Sequence, residues 1–247
     1  MRRLITIPIS HYCEKARWAL DFAGLPFAEE AHVQVVHWFA VRRAGGKRTA
    51  PVLVCEEGVF PESGSIVGYA ARHAPPERPL EPSAPVLRAE AMRLERWLDR
   101  DFGPHARRLT YAGLEGERQI ARDYNFTGVP AWERAAFPVA FAPLFGVIER
   151  VLDITPQTVA ASREQVQAVF ARVAERLADG RKFLVGDRFT RADLAFAALS
   201  AAVLMPQRYG VPLPSVDELP AAMAAETQAF RDHPAGAFAL RMYDEFR

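Results

Sequence analysis

Apolar and polar residues change their spacing several times along the first part of the chain. Residues 3 to 9, RLITIPI, form a short β-branched apolar run, which is typical of a buried strand. From residue 11 to residue 23 the apolar residues recur at helical intervals, which predicts an amphipathic helix. FAEEAHVQVV, residues 27 to 36, predicts a second strand, and we expect an irregular loop from there through RRAGGKR.

A hairpin and a second helix complete this part of the sequence. PVLVCEE and VFPES flank a turn at Glu57 and Gly58, which predicts two antiparallel strands. Residues 63 to 73 have helical spacing again. The order strand, helix, strand, loop, strand, strand, helix predicts a small α/β domain over residues 1 to 75.

Prolines separate this domain from a helical remainder. APPERPLEPSAP, residues 74 to 85, contains five prolines, so it cannot be a helix interior or a central strand. We therefore expect a proline-rich linker at residues 76 to 85 and an all-helical C-terminal domain over residues 86 to 247. Thr155 before Pro156, and Thr190 three residues before Asp193, are typical of helix starts in that domain.

The composition of the chain limits the kinds of molecule that we expect it to bind. The 247 residues are 50% hydrophobic with a formal net charge of +1, so no charge excess favours nucleic acid or an anionic membrane. The longest apolar run, residues 135 to 148, is shorter than the ~20 residues of a membrane-spanning helix. Two cysteines, Cys13 and Cys55, without a secretory signal favour a reducing cytoplasm. Histidine and cysteine spacings show no zinc pattern, so we expect no metal.

The first candidate for chemistry is SHYC, residues 10 to 13, where the predicted strand passes into the predicted helix. Ser10 there would lie beside free amides and the positive end of the helix dipole, where a thiolate is stabilised. A hydroxyl donor at that point would lower the pKa of a thiol further, although the serine could also be an ordinary helix cap. Cys13 shares the apolar face of the helix, which is typical of an unreactive core residue.

Three other positions offer groups to a ligand. Pro51 begins a strand without an N–H group, and a cis bond there would turn backbone groups outward, whereas a trans bond would be structural. In ESGS, Ser63 as N-cap would hold a carboxylate and Glu62 an ammonium group, which matches an amino-acid head group; a plain capped helix is the alternative. Lys47, in a basic loop, would contact a ligand carboxylate or remain solvated.

Five stretches follow one another along nearly the whole chain: SHYCEKARWALDFAGLPF, TAPVLV, PESGSIVGYAARHA, the proline-rich linker and FLVGDRFTRADLAFAAL. In this order the chain resembles the cytosolic glutathione transferases, and in particular serine-type, bacterial-like members. The resemblance implies a thioredoxin-like N-terminal domain followed by an all-α C-terminal domain. It also implies a cytoplasmic, homodimeric detoxification enzyme that conjugates the glutathione thiolate to a hydrophobic electrophile.

The resemblance implies a role for each residue of the candidate site. Ser10 would hydrogen-bond the glutathione sulfur, and Ala50, before a cis Pro51, would pair its backbone with the cysteinyl part. Glu62 and Ser63 would hold the γ-glutamyl head group. Glutathione would be the co-substrate, with no metal. The pocket for the hydrophobic substrate would be lined by Trp38, Phe102 and Tyr111.

The sequence departs from the family pattern around the same serine. His11 stands where many relatives have proline or a small residue, and Tyr12 is a rival hydroxyl donor. Cys13 with Ser10 is similar to the glutaredoxin-like relatives that form mixed disulfides, but the leading cysteine of that motif is missing in this chain. Three functions therefore stay open: a glutathione transferase, a non-catalytic glutathione-binding or scaffold protein, and a glutathione-dependent thiol reductase using Cys13. The apolar segment 128 to 148 is a packed insert, a pocket wall or a partner surface.

Overall fold

A four-stranded mixed sheet forms the first part of the protein. The computed structural model describes residues 1 to 247, except for the side chains at positions 118, 121, 138, 141 and 142. The strands are β1 (Arg2–Thr6), β2 (Phe27–Ala31), β3 (Val52–Cys55) and β4 (Gly58–Phe60). Their order across the sheet is β2-β1-β3-β4. Strand β1 runs parallel to β2 and antiparallel to β3, and β3 pairs with β4 as a hairpin.

Three helices accompany the sheet, namely α1 (His11–Phe22), α2 (His37–Arg43) and α3 (Ser63–His73). The predictions for α1, α3 and the hairpin are confirmed. The predicted loop before residue 48 contains α2, so that prediction is wrong. Strand β2 ends at Ala31, so it is shorter than the strand predicted over residues 27 to 36.

The rest of the chain is helical, as predicted. The helices are α4 (Pro85–Asp101), α5 (Gly103–Gly113), α6 (Arg118–Tyr124), α7 (Ala131–Leu152), α8 (Pro156–Leu177), α9 (Arg191–Leu204), α10 (Ala221–Asp232) and α11 (Pro234–Phe246), with a short 3-10 helix at Val216–Glu218. Most of the apolar segment 128 to 148 lies in α7. Across the described residues, no helix is both long enough and apolar enough to cross a membrane.

Helix α9 forms the centre of the helical part and packs against α1, α4, α5 and α11. Nearly all of its side chains are buried, which explains why its sequence is apolar all round rather than on one face. The predicted capping box is confirmed: Asp193 Oδ2 accepts hydrogen bonds from Thr190 N and Thr190 Oγ1, each at 2.8 Å. Asp193 Oδ1 also accepts from Leu184 N at 2.6 Å, so one carboxylate joins the helix start to the preceding loop.

Helix α1 joins the sheet to the helical part. Trp18 is fully buried on it, donates from Nε1 to Phe246 O at 2.9 Å, and packs against Tyr243 with ring centroids 4.6 Å apart. Because α1 is covered on both sides, its N-terminal end lies between the two parts of the protein.

Candidate functional site

A cavity of about 960 Å³ lies between the sheet and the helical part, at the N-terminal end of α1. Large concave pockets between structural units are the usual places for small-molecule binding. Most of the residues singled out from the sequence line this cavity: Ser10, Tyr12, Trp38, Ala50, Pro51, Glu62, Ser63 and Tyr111. Three others do not: Cys13, Lys47 and Phe102. The fold therefore assembles one site from segments that are far apart in the chain.

Ser10 occupies the N-cap position of α1 in an extended conformation, with φ −73° and ψ 121°. Its side chain makes no capping hydrogen bond to the helix, so the simple helix-cap interpretation does not describe it. The serine hydroxyl instead contributes to lowering the pKa of the Cys13 thiol, against the larger effect of burial. Since the chain turns after β1 at Pro8 and Ile9, this hydroxyl is brought to the cavity wall beside the free amides of α1.

Cys13 is fully buried, and this burial raises the pKa of its thiol to about 11. Its Sγ accepts a hydrogen bond from Ile7 N at 3.3 Å. Hydrogen bonds to the sulfur from Ile7 N and from the Ser10 hydroxyl lower this pKa, but burial outweighs them. Cys13 thus stays protonated and presents no thiolate of its own.

The side chains of His11 and Tyr12 attach α1 to the junction of α4 and α5. Tyr12 Oη donates to Asp99 O at 2.6 Å, and burial raises the pKa of this hydroxyl. Burial and the charge of Arg107 lower the pKa of His11 to about 3, so its neutral ring donates from Nε2 to Gly103 O at 3.1 Å. The Tyr12 proton is therefore already committed to a backbone carbonyl.

The segment before β3 brings backbone groups to the cavity. The Ala50–Pro51 peptide bond is cis, and both residues line the cavity. Arg48 also lines it, in the place predicted for Lys47, which is exposed outside the lining. The Arg48 guanidinium lies over the Trp38 ring, 5.5 Å from its centroid.

The N-terminus of α3 forms another edge of the cavity. Glu62, rather than the predicted Ser63, occupies the N-cap position, and Ser63 is the first helical residue. The Glu62 amide donates to Ser65 Oγ at 3.3 Å, and Ser65 Oγ donates back to Glu62 O at 2.7 Å. The first amides of the helix lie here next to the exposed Glu62 carboxylate, so this edge could receive both the carboxylate and the ammonium group of an amino-acid head group.

A buried group of charges supports this end of the cavity, and the sequence did not predict it. Lys15 Nζ lies 2.7 Å from Glu95 and 2.6 Å from Asp99, and both lysine and Glu95 are almost fully buried. Arg191 pairs with Glu95 at 2.5 Å and with Glu81, and reaches Gly64 O at 3.5 Å. The charges come from three helices and from the linker before α4, so no local spacing could reveal them.

The wall of the cavity that α7 forms is apolar. Leu144, Phe145 and Ile148 of α7 line it, so the segment 128 to 148 contributes a pocket wall. The prediction for Phe102 is wrong: this side chain is fully buried in the core, where its ring stacks on Phe196 with centroids 5.8 Å apart. Helical periodicity places Phe102 on an inward face, but it cannot distinguish the core from the cavity.

Polar residues interrupt that wall at one place. Gln34 Nε2 donates to Tyr111 Oη at 3.0 Å and to Asn125 Oδ1 at 2.6 Å.

Within the described part of the chain, no three His, Cys, Asp or Glu side chains are grouped so that they could hold a metal ion.

Two family models match this sequence. Residues 4–79 match the glutathione S-transferase N-terminal domain, and residues 135–224 match the glutathione S-transferase C-terminal domain. No curated protein matches the chain at a significant level.

Solved structures share the fold over nearly the whole chain. A glutathione S-transferase from Xanthobacter autotrophicus Py2 is 18% identical, with a TM-score of 0.63, covering 99% of this chain and 93% of that one. The theta class glutathione S-transferase from Xanthomonas axonopodis pv. citri, with glutathione bound, is 21% identical, with a TM-score of 0.58 and coverages of 97% and 96%. The beta-etherase LigF from Sphingobium sp. strain SYK-6 is 19% identical, with a TM-score of 0.59 and coverages of 97% and 98%.

Proposed function

Because the chain belongs to the glutathione S-transferase family, we propose that it is a transferase that conjugates the glutathione thiolate to a hydrophobic electrophile. The observation that carries this proposal is one cavity with two kinds of wall. Ser10, the cis Ala50–Pro51 segment and the start of α3 form its polar end, and α7 forms its apolar end. A tripeptide thiol and an apolar partner would meet between them.

Glutathione would bind along the polar end. The γ-glutamyl carboxylate would accept hydrogen bonds from the first amides of α3, including that of Ser63, and its ammonium group would face Glu62. The backbone of Ala50 would pair with the cysteinyl part. Glutathione is bound in the solved Xanthomonas axonopodis relative, which supports the same co-substrate here.

In the reaction, the thiol of glutathione would lose its proton to solvent, and Ser10 Oγ would donate a hydrogen bond to the resulting thiolate. The amides at the start of α1 would stabilise the same charge. The sulfur would then attack the electrophilic carbon, forming the C–S bond while the leaving group departs with its electron pair. The protein contributes thiolate stabilisation and proximity, without a covalent intermediate.

The alternative in which Cys13 acts as a reductase nucleophile has little support. Its thiol is outside the cavity lining and fully buried, and its raised pKa keeps it protonated. The homodimeric assembly and cytoplasmic location expected from the sequence are part of the proposal. Both cysteines are unpaired, which is consistent with a reducing compartment.

The Ser10→Ala variant tests this function. We expect it to raise the pKa of the bound glutathione thiol by about one unit, since each unit corresponds to about 1.4 kcal/mol, and to lower kcat/KM for a chlorodinitrobenzene about tenfold. Ultraviolet difference titration of the bound thiolate measures the first effect, and initial rates measure the second.

Tyr12→Phe is the matched control, because the Tyr12 hydroxyl donates to Asp99 O and not into the cavity. It should leave the thiol pKa unchanged. An unchanged thiol pKa in Ser10→Ala would contradict the mechanism. Retention on immobilised glutathione without conjugation of any electrophile would instead identify a binding or scaffold protein.

A further inference from the structure

Arg107 is a cation in the helical wall of the cavity that has no counter-charge. It lies on α5 and lines the cavity, and its Nε is buried without a hydrogen-bond partner among the described residues. Buried polar groups are nearly always hydrogen-bonded, and an arginine offers five donors in a rigid plane. Arg107 Nε is therefore a donor that an acceptor from a bound molecule would satisfy.

The buried cations Lys15, Arg191 and Arg17 each have an acidic partner, although Arg17 Nη1 makes no hydrogen bond among the described residues. Lys15 is bound to Glu95 and Asp99, Arg191 to Glu95, and Arg17 Nη2 lies 2.7 Å from Glu29. Within the described part of the chain, no carboxylate pairs with Arg107. The difference indicates that Arg107 serves a ligand and not the fold.

The charge of Arg107 acts near the sulfur end of the cavity. After burial, it is the main cause that lowers the pKa of His11, which directly follows Ser10. Burial raises the pKa of Tyr111, while a hydrogen bond from Gln34 and the charge of Arg107 oppose that rise. Arg107 lines the same cavity as His11 and Tyr111, and its charge acts on both.

The carboxylates that line the cavity lie elsewhere. Among the described lining residues they are Glu62, Glu95 and Asp99, and the last two are already paired with Lys15. The α7 part of the wall is apolar. Of the five arginines among the described lining residues, Arg48, Arg96 and Arg100 are exposed and Arg191 is paired with Glu95. Arg107 is half-buried without an acidic partner among the described residues, beside an apolar wall where charge-assisted hydrogen bonds are strong.

We propose that the second substrate carries a carboxylate, or an anion of similar geometry, which Arg107 binds through paired N–H donors while an apolar body contacts α7. This inference rests on the proposed conjugation function. The glutathione sulfur is the other anion within reach, but Ser10 and the amides of α1 already serve it. The favoured substrate class is thus an arylalkyl or alkyl carboxylate with an electrophilic carbon.

A matched pair of electrophiles tests the inference: para-(chloromethyl)benzoate and its neutral analogue benzyl chloride, each rate divided by its uncatalysed rate. We expect the protein to favour the carboxylate in kcat/KM by about tenfold or more, as for a hydrogen-bonded charge pair. Arg107→Gln should remove that preference and leave the neutral substrate within about twofold. Arg107→Lys, which keeps the charge without the planar fork, should retain part of it.

Arg93→Gln is the control variant, because Arg93 is exposed on α4 and does not line the cavity. It should keep the full preference. An Arg107→Gln variant that still prefers the carboxylate overturns the inference. An equal loss with both substrates, together with a raised pKa of the bound thiol, would overturn it too and assign Arg107 to the glutathione sulfur.

Binding measurements separate this inference from the proposed function. Calorimetry would compare S-(para-carboxybenzyl)glutathione with S-benzylglutathione, and para-methylbenzoate alone, on the wild type and Arg107→Gln. If neither glutathione derivative binds, the proposed function fails. Binding of para-methylbenzoate that is lost in Arg107→Gln would still support the anion site, and its absence from the wild type would overturn that site.

Discussion

Ser10 and Cys13 lie three residues apart but in different surroundings. Ser10 lines the cavity, whereas Cys13 is fully buried on the inward face of α1. Burial raises the pKa of Cys13 to about 11, so at neutral pH its thiolate fraction is very small. Their spacing is that of a dithiol redox motif, but here it places a hydroxyl at the cavity and a protonated thiol in the core.

This difference predicts the reactivity of the two cysteines. With iodoacetamide at about pH 8, Cys55, which is half-buried, should be alkylated in the native protein, and Cys13 should react only after unfolding. Mass-spectrometric peptide mapping measures the labelling of each. Cys13→Ala should retain conjugation activity within about twofold and lose about 1 kcal/mol of stability. Native labelling of Cys13, or loss of activity in Cys13→Ala alone, would contradict its core role.

Single residues were predictable from the sequence where their position along an element decides their role. Ser10, Pro51 and Glu62 lie at starts of helices or strands, where backbone groups are free, and all three line the cavity. Arg107 and Lys15 lie inside helices and resemble ordinary charged positions. Their surroundings depend on tertiary packing, which no spacing in this chain encodes.

At the scale of elements, the start of α9 depends on one carboxylate. Asp193 is fully buried and accepts three hydrogen bonds, from Leu184 N, Thr190 N and Thr190 Oγ1. Asp193→Ala leaves two amides unpaired, so it should lower the free energy of unfolding by about 2–4 kcal/mol in urea titrations. Asp187→Ala, which removes an exposed carboxylate, should change it by less than about 0.5 kcal/mol. Similar losses in the two variants would contradict this role.

Long and capped elements were predictable, whereas the short segment after β2 was not. Helix α2 has seven residues with only His37 and Val41 buried, which is too few for a helical period to be recognised. The turn before it contains Val35 at φ 71°, a conformation that is rare for a β-branched residue. This turn carries Gln34 and Val35 to the cavity wall. Strained backbone of this kind is concentrated at ligand sites, and sequence propensity argues against it.

At the scale of the whole molecule, a histidine clasp joins the sheet to α7. His32 Nδ1 lies 2.5 Å from Glu133 Oε1, and His32 Nε2 lies 3.1 Å from Glu30 Oε1. Glu133 Oε2 also accepts from Val33 N at 2.9 Å. Burial alone would lower the pKa of His32, but hydrogen bonds and charge from Glu133 and Glu30 outweigh it and raise the pKa above its usual value.

The clasp predicts a pH dependence of stability. Because the pKa of His32 is higher in the folded state, its stabilisation is complete below the unfolded pKa of about 6.5 and is lost as pH rises through the folded pKa. The melting temperature of the wild type should therefore exceed that of His32→Gln at about pH 6, and the gap should narrow by about pH 9. Thermal unfolding followed by circular dichroism measures both. A gap that is independent of pH would refute the charged clasp.

The overall architecture was predictable because the order of strands and helices and the proline-rich segment define two different parts. The cavity between these parts was predictable only as a location. Its contents depend on contacts between residues far apart in the chain, such as Gln34 with Tyr111 and His32 with Glu133. These contacts exist only where the two parts pack against each other, so the sequence periodicity of neither part predicts them.

The buried charges beneath α3 limit how this protein can diversify. Lys15 comes from the first part of the chain and finds both of its acids on α4, while Arg191 reaches from α9 to Gly64 O. A recombination event that replaced one part with that of a relative would leave a buried charge without its partner. An unpaired buried charge lowers the free energy of unfolding by several kcal/mol. The lining of the cavity is therefore more accessible to change through point substitutions along α5 and α7 than through exchange of whole parts.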